Sequence, residues 1–447
     1  MPLDHIDPLF ILTHHQPLKD DFSGFSPISF SDPHLYLTLI KEKIKINRLG
    51  SAGSRDHLRF EVADRVKNLP PYIFAELEKI INEKKRQGVD LISLSIGDPD
   101  LPPPKFVLEA LAEESSNPNN HNYSFSQGEP EFKEAVAEWY RGRFNVDLDP
   151  KSEIIALIGS KEGLANIARA FVNPGDKVLV PNPAYPVYAN GATILSEGIP
   201  VDMPLLEEND FKPDIESLER MDLKGVKMMF LNYPNNPTGG VMDRDYLKEI
   251  VEFAQRHDII VCYDNAYSEI TFDGYRAPSI LEVEGGKDVS VEFHSCSKTF
   301  SMTGDRIGFA VGNEKIINGL LRVKTQIDSG PPRYTQIVAA KALRSYVNGE
   351  PPEYVRRMRE IYRERRDELI RGLQRLGLKC RKPLATFYVW VKCGGDSMDF
   401  CRRLLDVGVV ATPGIGFGEY GEGYVRFSVT QPVEMIREAC ERMEKIL

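Results

Sequence analysis

An α/β protein, with a mostly parallel sheet in a large domain and a smaller α+β domain after it, is the fold class this sequence predicts, and three observations predict it. From about residue 58, helical and strand patterns alternate along the chain. The central strands are continuous apolar runs rather than alternating ones, as expected of strands covered on both faces. After about residue 330 a long charged helical segment is followed by strands and helices of a second kind.

Residues 1–57 lack sustained periodicity, are rich in Pro, Ser, His and Asp, and end near the Gly/Ser-rich stretch Gly50 to Ser54. Asp4, Asp7, Asp20, Asp21 and Asp32 argue against a transit peptide, and a secretory signal needs a longer apolar core. The segment is expected to be a poorly ordered extension. Residues 58–104 then form an arm and part of the small domain, 105–329 the large domain, and 330–447 the small domain.

Within the large domain, Lys161 to Val172 places Leu164, Ile167, Ala168 and Phe171 on one helical face, and Lys177 to Val180 is a short strand. Lys227 to Leu231 is a buried strand, Leu247, Ile250, Val251 and Ala254 form a helical stripe, and Ile259 to Cys262 is a strand again. Such βαβ units wind a sheet with helices on both faces and gather ligands beyond its carboxyl ends. The small domain reads as a helix over Glu353 to Leu376, a strand over Thr386 to Val391, a helix, a strand over Tyr424 to Val429, and a final helix. That last helix carries Val433, Ile436, Cys440 and Met443 on one face.

Composition narrows the function. With 66 acidic against 56 basic residues the net charge is −10, which repels nucleic acid, and no basic patch opposes it. No run of 18 apolar residues occurs, so a membrane span is not expected. Six scattered cysteines without a CxxC pair read as reduced thiols of a cytoplasmic protein. Only His121, His257 and His294 lie outside the leader, so no metal site is expected. Gly416, Gly418 and Gly421 satisfy G-x-G-x-x-G, but a strand follows where a dinucleotide site needs a helix.

The chemistry sits in a few segments. FHSCSKTFSMTGDRIGF (293–309) brings Ser295, Ser297, Lys298 and Arg306 into one loop. A lysine amine condenses with an aldehyde, while hydroxyls and a guanidinium hold a phosphate dianion; an aldehyde bearing a phosphate is pyridoxal phosphate. Taken alone, the same residues also suit a polar surface loop. VCYDNAYSE (261–269) brings Asp264 out at a strand's carboxyl end, where it serves a ligand or caps a local turn. IGSKEG (158–163) leads a strand into a helix whose N-terminus suits an anion, with Ser160 and Lys161 beside it. NYPNNPTGG (232–240) is a turn whatever its function. Arg426, in GYVRFSVT, sits on a half-buried strand where an unpartnered guanidinium is costly unless it binds something.

Together these segments resemble, in kind and order, the motifs of fold-type I pyridoxal-phosphate aminotransferases of class I/II, from about residue 58 to the end. The resemblance implies a seven-stranded large-domain sheet and Lys298 as the catalytic residue, holding pyridoxal 5'-phosphate as an imine and moving the substrate's α-proton. It implies Asp264 on the pyridine nitrogen, Asn236 and Tyr267 on the ring oxygen, and Tyr185 stacked on the ring. The phosphate would meet Ser160, Lys161, Ser295, Ser297 and Arg306, together with Tyr123 from the neighbouring subunit of a homodimer. Arg426 would clamp the substrate α-carboxylate, with Tyr72, Gly97, Asn236 and Gln326 also contacting substrate.

LIGSKEG, AFVNPGD, FLNYPNNPTGG, ATFYVWV and PGIGFGEYGEG look most similar to the LL-diaminopimelate branch of the family. That branch implies lysine biosynthesis with 2-oxoglutarate and glutamate as partner pair. Three positions depart from it: Asp305 for an aromatic residue, Gln326 for Asn, and Phe125-Ser126 for a Ser-Tyr pair, which implies an altered pocket. An aspartate or other amino-acid aminotransferase is the runner-up, and a lyase on the same scaffold the next. A transcription regulator would need a basic helical N-terminal module, which the leader does not provide.

Overall fold

The computed structural model describes residues 60–71 and 73–446, so the expectations for residues 1–57 and for Tyr72 lie outside the described residues. Helix α1 (Ile73–Arg86) leads into a two-residue strand, β1 (Ile92–Ser93). Helices α2 (Lys105–Ser116) and α3 (Pro130–Phe144) follow. The central sheet then takes β2 (Ile154–Leu157), β3 (Lys177–Asn182), β4 (Ile199–Pro204), β5 (Val226–Asn232), β6 (Ile260–Asp264), β7 (Ser290–Ser295) and β8 (Gly308–Gly312). Their spatial order is β2-β8-β7-β6-β5-β3-β4, with β8 alone antiparallel to its neighbours.

The continuous apolar runs are explained by what covers them. On one face Val178, Phe230, Cys262 and Phe293 pack with Leu164, Ile167 and Ala168 of α4 (Ser160–Phe171). On the other, Leu179, Met229, Leu231 and Val261 pack with Leu247, Ile250 and Ala254 of α5 (Arg244–His257). Each Val, Leu, Ile, Met or Phe among them contributes about 1.5–3 kcal/mol by leaving water. Asp243 starts α5 by accepting the Tyr246 N–H, and Asp258, at φ 53°, ends it in the left-handed region.

Helices α6 (Glu314–Lys324) and α7 (Arg333–Leu343) come next. The latter falls beyond the boundary expected at residue 329, yet it packs on α2 and α3 and shares their apolar cluster. The charged segment forms α8 (Glu353–Arg375), after which come β9 (Tyr388–Lys392), α9 (Ser397–Asp406), β10 (Val409–Val410), β11 (Thr412–Pro413), β12 (Tyr424–Ser428) and α10 (Val433–Met443). Strands β11, β12 and β9 make an antiparallel sheet, and β1 pairs in parallel with β10, so residues before 105 join elements near the carboxyl end. Strand β9 begins two residues later than its sequence suggests because Thr386 sits at φ 68°, outside strand geometry. No helix among the described residues is long and apolar enough to cross a membrane.

Candidate active site

The carboxyl ends of β5, β6 and β7 and the start of α4 face a cavity of about 670 Å³ that also touches β9, β12 and α1. Asp264 is the last residue of β6 and is buried. Its Oδ2 accepts the Tyr188 hydroxyl hydrogen at 2.7 Å, and its Oδ1 accepts the Ala266 N–H at 3.3 Å. Burial pushes its carboxyl up to about 6, against the pull of those two donors.

Asn232, opposite Asp264 in the β5–β6 register, donates to the Asp264 carbonyl at 2.9 Å and accepts the Asn236 N–H at 2.8 Å. Asn235 holds the rest of the turn by accepting from Thr238 N–H and Oγ1. Asn236 is thereby presented to Arg426, whose Nη1 donates to Asn236 Oδ1 at 2.7 Å. Because arginine can only donate, the contacting atom must be the carbonyl oxygen, which frees the Asn236 amide nitrogen to donate.

Lys298 lies in a single helical turn, Cys296–Thr299, where a plain loop is expected from sequence; Ser295 caps it by accepting the Ser297 N–H at 3.2 Å. The Lys298 Nζ donates to the Gly97 carbonyl at 2.7 Å. Burial lowers the ammonium to about 8, opposed by Asp98 and reinforced by the charges of Arg426 and Arg306.

Arg306 adopts φ 53° and donates to the carbonyls of Thr303 at 2.7 Å and Ile158 at 3.3 Å. Gly159, at φ 75°, precedes α4, and a Cβ there would come 2.2 Å from Arg306 Nη2. The first-turn N–H groups of α4 point beyond its end by helix geometry, so glycine, guanidinium and Ser160 leave room for an anion. Lys161 Nζ lies 5.5 Å from the Tyr185 ring centroid, and burial pushes the Tyr185 phenol up to about 12.

Arg426 is 3% exposed, with Nη2 on the Ser95 carbonyl at 2.7 Å and its guanidinium 4.2 Å from the Tyr388 ring centroid. No carboxylate among the described residues pairs with it, and its Nε is buried without a partner. A buried cation in that state needs an anion from outside the chain.

The cavity thus gathers Ser160, Lys161, Tyr185, Asn236, Asp264, Tyr267, Ser295, Ser297, Lys298, Arg306, Arg426 and Gly97. Two other expected residues, Tyr123 and Gln326, stand apart from it, as does Asp305. Tyr123 is 89% exposed and lines a separate depression with Tyr334 and Pro331, while Gln326 is exposed and donates to Thr325 Oγ1. Asp305 is partly buried, its carboxyl raised by burial, and does not line the cavity.

Sequence reasoning missed Tyr188, Asn232 and Tyr388, and also Glu78, Ile81, Asn82 and Lys85, which α1 turns toward the cavity. The last four recur at the three- and four-residue spacing of one helical face, a signal present in the sequence.

The residues fit pyridoxal phosphate: a half-buried amine, a cradle kept open by Gly159, a carboxylate for a ring nitrogen, and a guanidinium without an acidic partner for a carboxylate. A mostly parallel seven-stranded sheet with this cavity at its strand ends is the fold-type I architecture of pyridoxal-phosphate enzymes.

Comparison with known proteins agrees. Residues 89–443 match the family described as Aminotransferase class I and II. LL-diaminopimelate aminotransferase of Desulforudis audaxviator is 49% identical over 393 residues, covering 87% of this chain and 99% of that protein. The enzyme of the same name from Aquifex aeolicus is 49% identical over 390 residues, covering 87% and 99%. A double mutant of Thermus thermophilus aspartate aminotransferase superposes with TM-score 0.81 at 31% identity, covering 87% and 100%. The chain belongs to the class I and II aminotransferase family. It is an aminotransferase that uses pyridoxal phosphate and acts on amino acids and 2-oxo acids.

Proposed function

We propose that the protein is an LL-diaminopimelate:2-oxoglutarate aminotransferase of lysine biosynthesis, working as a cytoplasmic homodimer. The reading is supported by near-half identity to enzymes of that name over almost their whole length, and the observation that carries it in the site is Arg426. It is a buried guanidinium with no acidic partner among the described residues, in the same cavity as a partly deprotonated lysine.

Pyridoxal phosphate, when bound, supplies an aldehyde that condenses with amines and a ring that draws electrons from the substrate α-carbon. The chain's residues do the rest. Ser160, Lys161, Ser295, Ser297 and Arg306 hold the phosphate through charge-assisted hydrogen bonds, and Tyr123 of a second subunit completes that set. Asp264 would hold the ring nitrogen in its protonated form. Asn236 and Tyr267 would donate to the ring oxygen, and Tyr185 would lie against the ring.

Arg426 binds the substrate α-carboxylate with two parallel hydrogen bonds, beside Gly97, and so turns the α-hydrogen toward Lys298. Lys298 Nζ would hold the cofactor through its aldehyde carbon, and as a free amine would be the base that moves the substrate's α-proton. Its depressed pKa leaves a usable neutral fraction near neutral pH. The large domain at 105–329, with 58–104 and 330–447 forming the smaller one, is the division we adopt, with α7 packed on the large domain's helices.

The test is a set of single half-reactions read by the cofactor's absorbance. LL-diaminopimelate and glutamate should each convert the loaded enzyme to its aminated form. Conversion by aspartate and glutamate but not by LL-diaminopimelate would replace this reading with the aspartate one.

A further inference from the structure

Two phenols share one hydrogen bond at the cavity wall: the Tyr267 and Tyr388 hydroxyl oxygens lie 3.0 Å apart, and both side chains are buried. Tyr388 is the first residue of β9, and its ring is fixed on several sides. Arg426 lies over one face at 4.2 Å, and Phe387 meets it edge-on at 4.8 Å between centroids. The hydroxyl itself rests against Gly97, where a Cβ would come 2.2 Å from it. Among the described residues its hydrogen-bond partner is Tyr267.

Each phenol has one hydrogen to give. Burial pushes both well above the ordinary value for tyrosine, or above it in the case of Tyr388, where Arg426 opposes the rise, so both keep that hydrogen at neutral pH. The charged groups facing the pair are Arg426 and Asp98 toward Tyr388, and Arg426 and Asp264 toward Tyr267, with Lys298 Nζ 6.0 Å from the Tyr267 ring centroid. Either hydroxyl can be the donor in this pair, and it is the Tyr388 hydroxyl that Gly97 crowds. If Tyr388 gives its hydrogen to Tyr267, the Tyr267 hydrogen is free for an acceptor in the cavity, and the two bonds strengthen each other.

We propose that Tyr388 is a positioning residue: by donating to the Tyr267 hydroxyl oxygen, it aims the Tyr267 hydrogen at the ring oxygen of the bound cofactor. The inference rests on the role given to Tyr267 above. A donor on that oxygen withdraws electron density from the conjugated nitrogen bonded to Lys298 and makes it less basic. Removing the Tyr388 hydroxyl should therefore make that nitrogen more basic without touching the arginine clamp, because phenylalanine keeps the ring beneath Arg426.

The experiment is a spectrophotometric pH titration of the loaded enzyme without substrate, for wild type, Tyr267→Phe, Tyr388→Phe and the double variant. Tyr267→Phe should raise the apparent pKa of the cofactor band by about one unit, a tenfold change in basicity, the size of one lost hydrogen bond. Tyr388→Phe should raise it about threefold in basicity, and the double variant should match Tyr267→Phe alone, since the hydroxyls act in series.

If Tyr267→Phe shifts the band but Tyr388→Phe does not, or if the two shifts add, the inference is overturned while the role of Tyr267 stands. If Tyr267→Phe leaves the band unmoved, both fall together. A rise in amino-donor KM for Tyr388→Phe with no spectral shift would place Tyr388 in the carboxylate clamp and overturn the inference as well.

Discussion

Tyr188 donates its hydroxyl hydrogen to Asp264 Oδ2 across 2.7 Å, and both groups are buried. The phenol partly offsets the burial that lifts the Asp264 carboxyl to about 6. Tyr188→Phe should raise that value further, since a hydrogen bond to a charged group contributes about 1.5–3 kcal/mol. The expected outcome is a loss of about tenfold in kcat/KM at pH 7, with the acid limb of the pH–rate profile moved to higher pH.

The same group sets a stability profile. Asp264 has a raised folded-state pKa, so its contribution is fully present below the unfolded value near 3.8 and is lost as pH rises through about 6. Asp264→Asn in the cofactor-free protein should therefore melt at higher temperature than wild type at pH 8 and show no such gain at pH 4. Calorimetric scans at the two pH values check this.

Lys298 shows the opposite sign. Its folded-state pKa is lowered from 10.5 to about 8, so the stability tied to its neutral form is present above 10.5 and is lost as pH falls through about 8. Lys298→Met should abolish steady-state amino transfer by about a thousandfold or more, and the cofactor's lysine-bound absorbance with it. The cofactor-free variant should also be more heat-stable than wild type at pH 7. An undiminished rate would remove Lys298 from the mechanism.

Arg426→Lys keeps the charge but loses the fork that donates to Asn236, Ser95 and an incoming carboxylate. The amino-donor KM should rise by about two orders of magnitude, while cofactor affinity, measured by equilibrium dialysis, stays within about twofold.

Gly159→Ala places a methyl 2.2 Å from Arg306 Nη2 on a backbone at φ 75°. The guanidinium must swing out of the cradle. Cofactor affinity should fall by about tenfold, with a stability cost of about 1 kcal/mol from the left-handed backbone. Reconstitution titrations measure the first and denaturant unfolding the second.

Much of this was legible in the sequence where chemistry and local pattern coincide. Asp264 ends an apolar strand run, so its emergence beyond the sheet follows from the pattern, and Lys298 with its serines is a short-range constellation. Tyr188 was not legible, because a tyrosine three residues after Tyr185 reads equally as core until β6 is seen beside it. Tyr388 was hidden by register: it sits opposite Ser428, on the same face of the small sheet as Arg426, and only strand pairing shows that. The packing of α7 on α2 and α3 was hidden for a related reason, since periodicity tells that a helix exists but not which helices it packs against.

Strand β8 runs against its neighbours, so the chain from β7 turns straight back alongside it, and Lys298 and Arg306 both ride on that one hairpin. The span between the reactive amine and the phosphate anchor is consequently fixed by the nine residues of continuous backbone from Lys298 to Arg306. Arg426 hangs from a different sheet altogether. The spacing of amine and phosphate anchor is thus set by one stretch of chain, and the grip on an incoming amino acid by another.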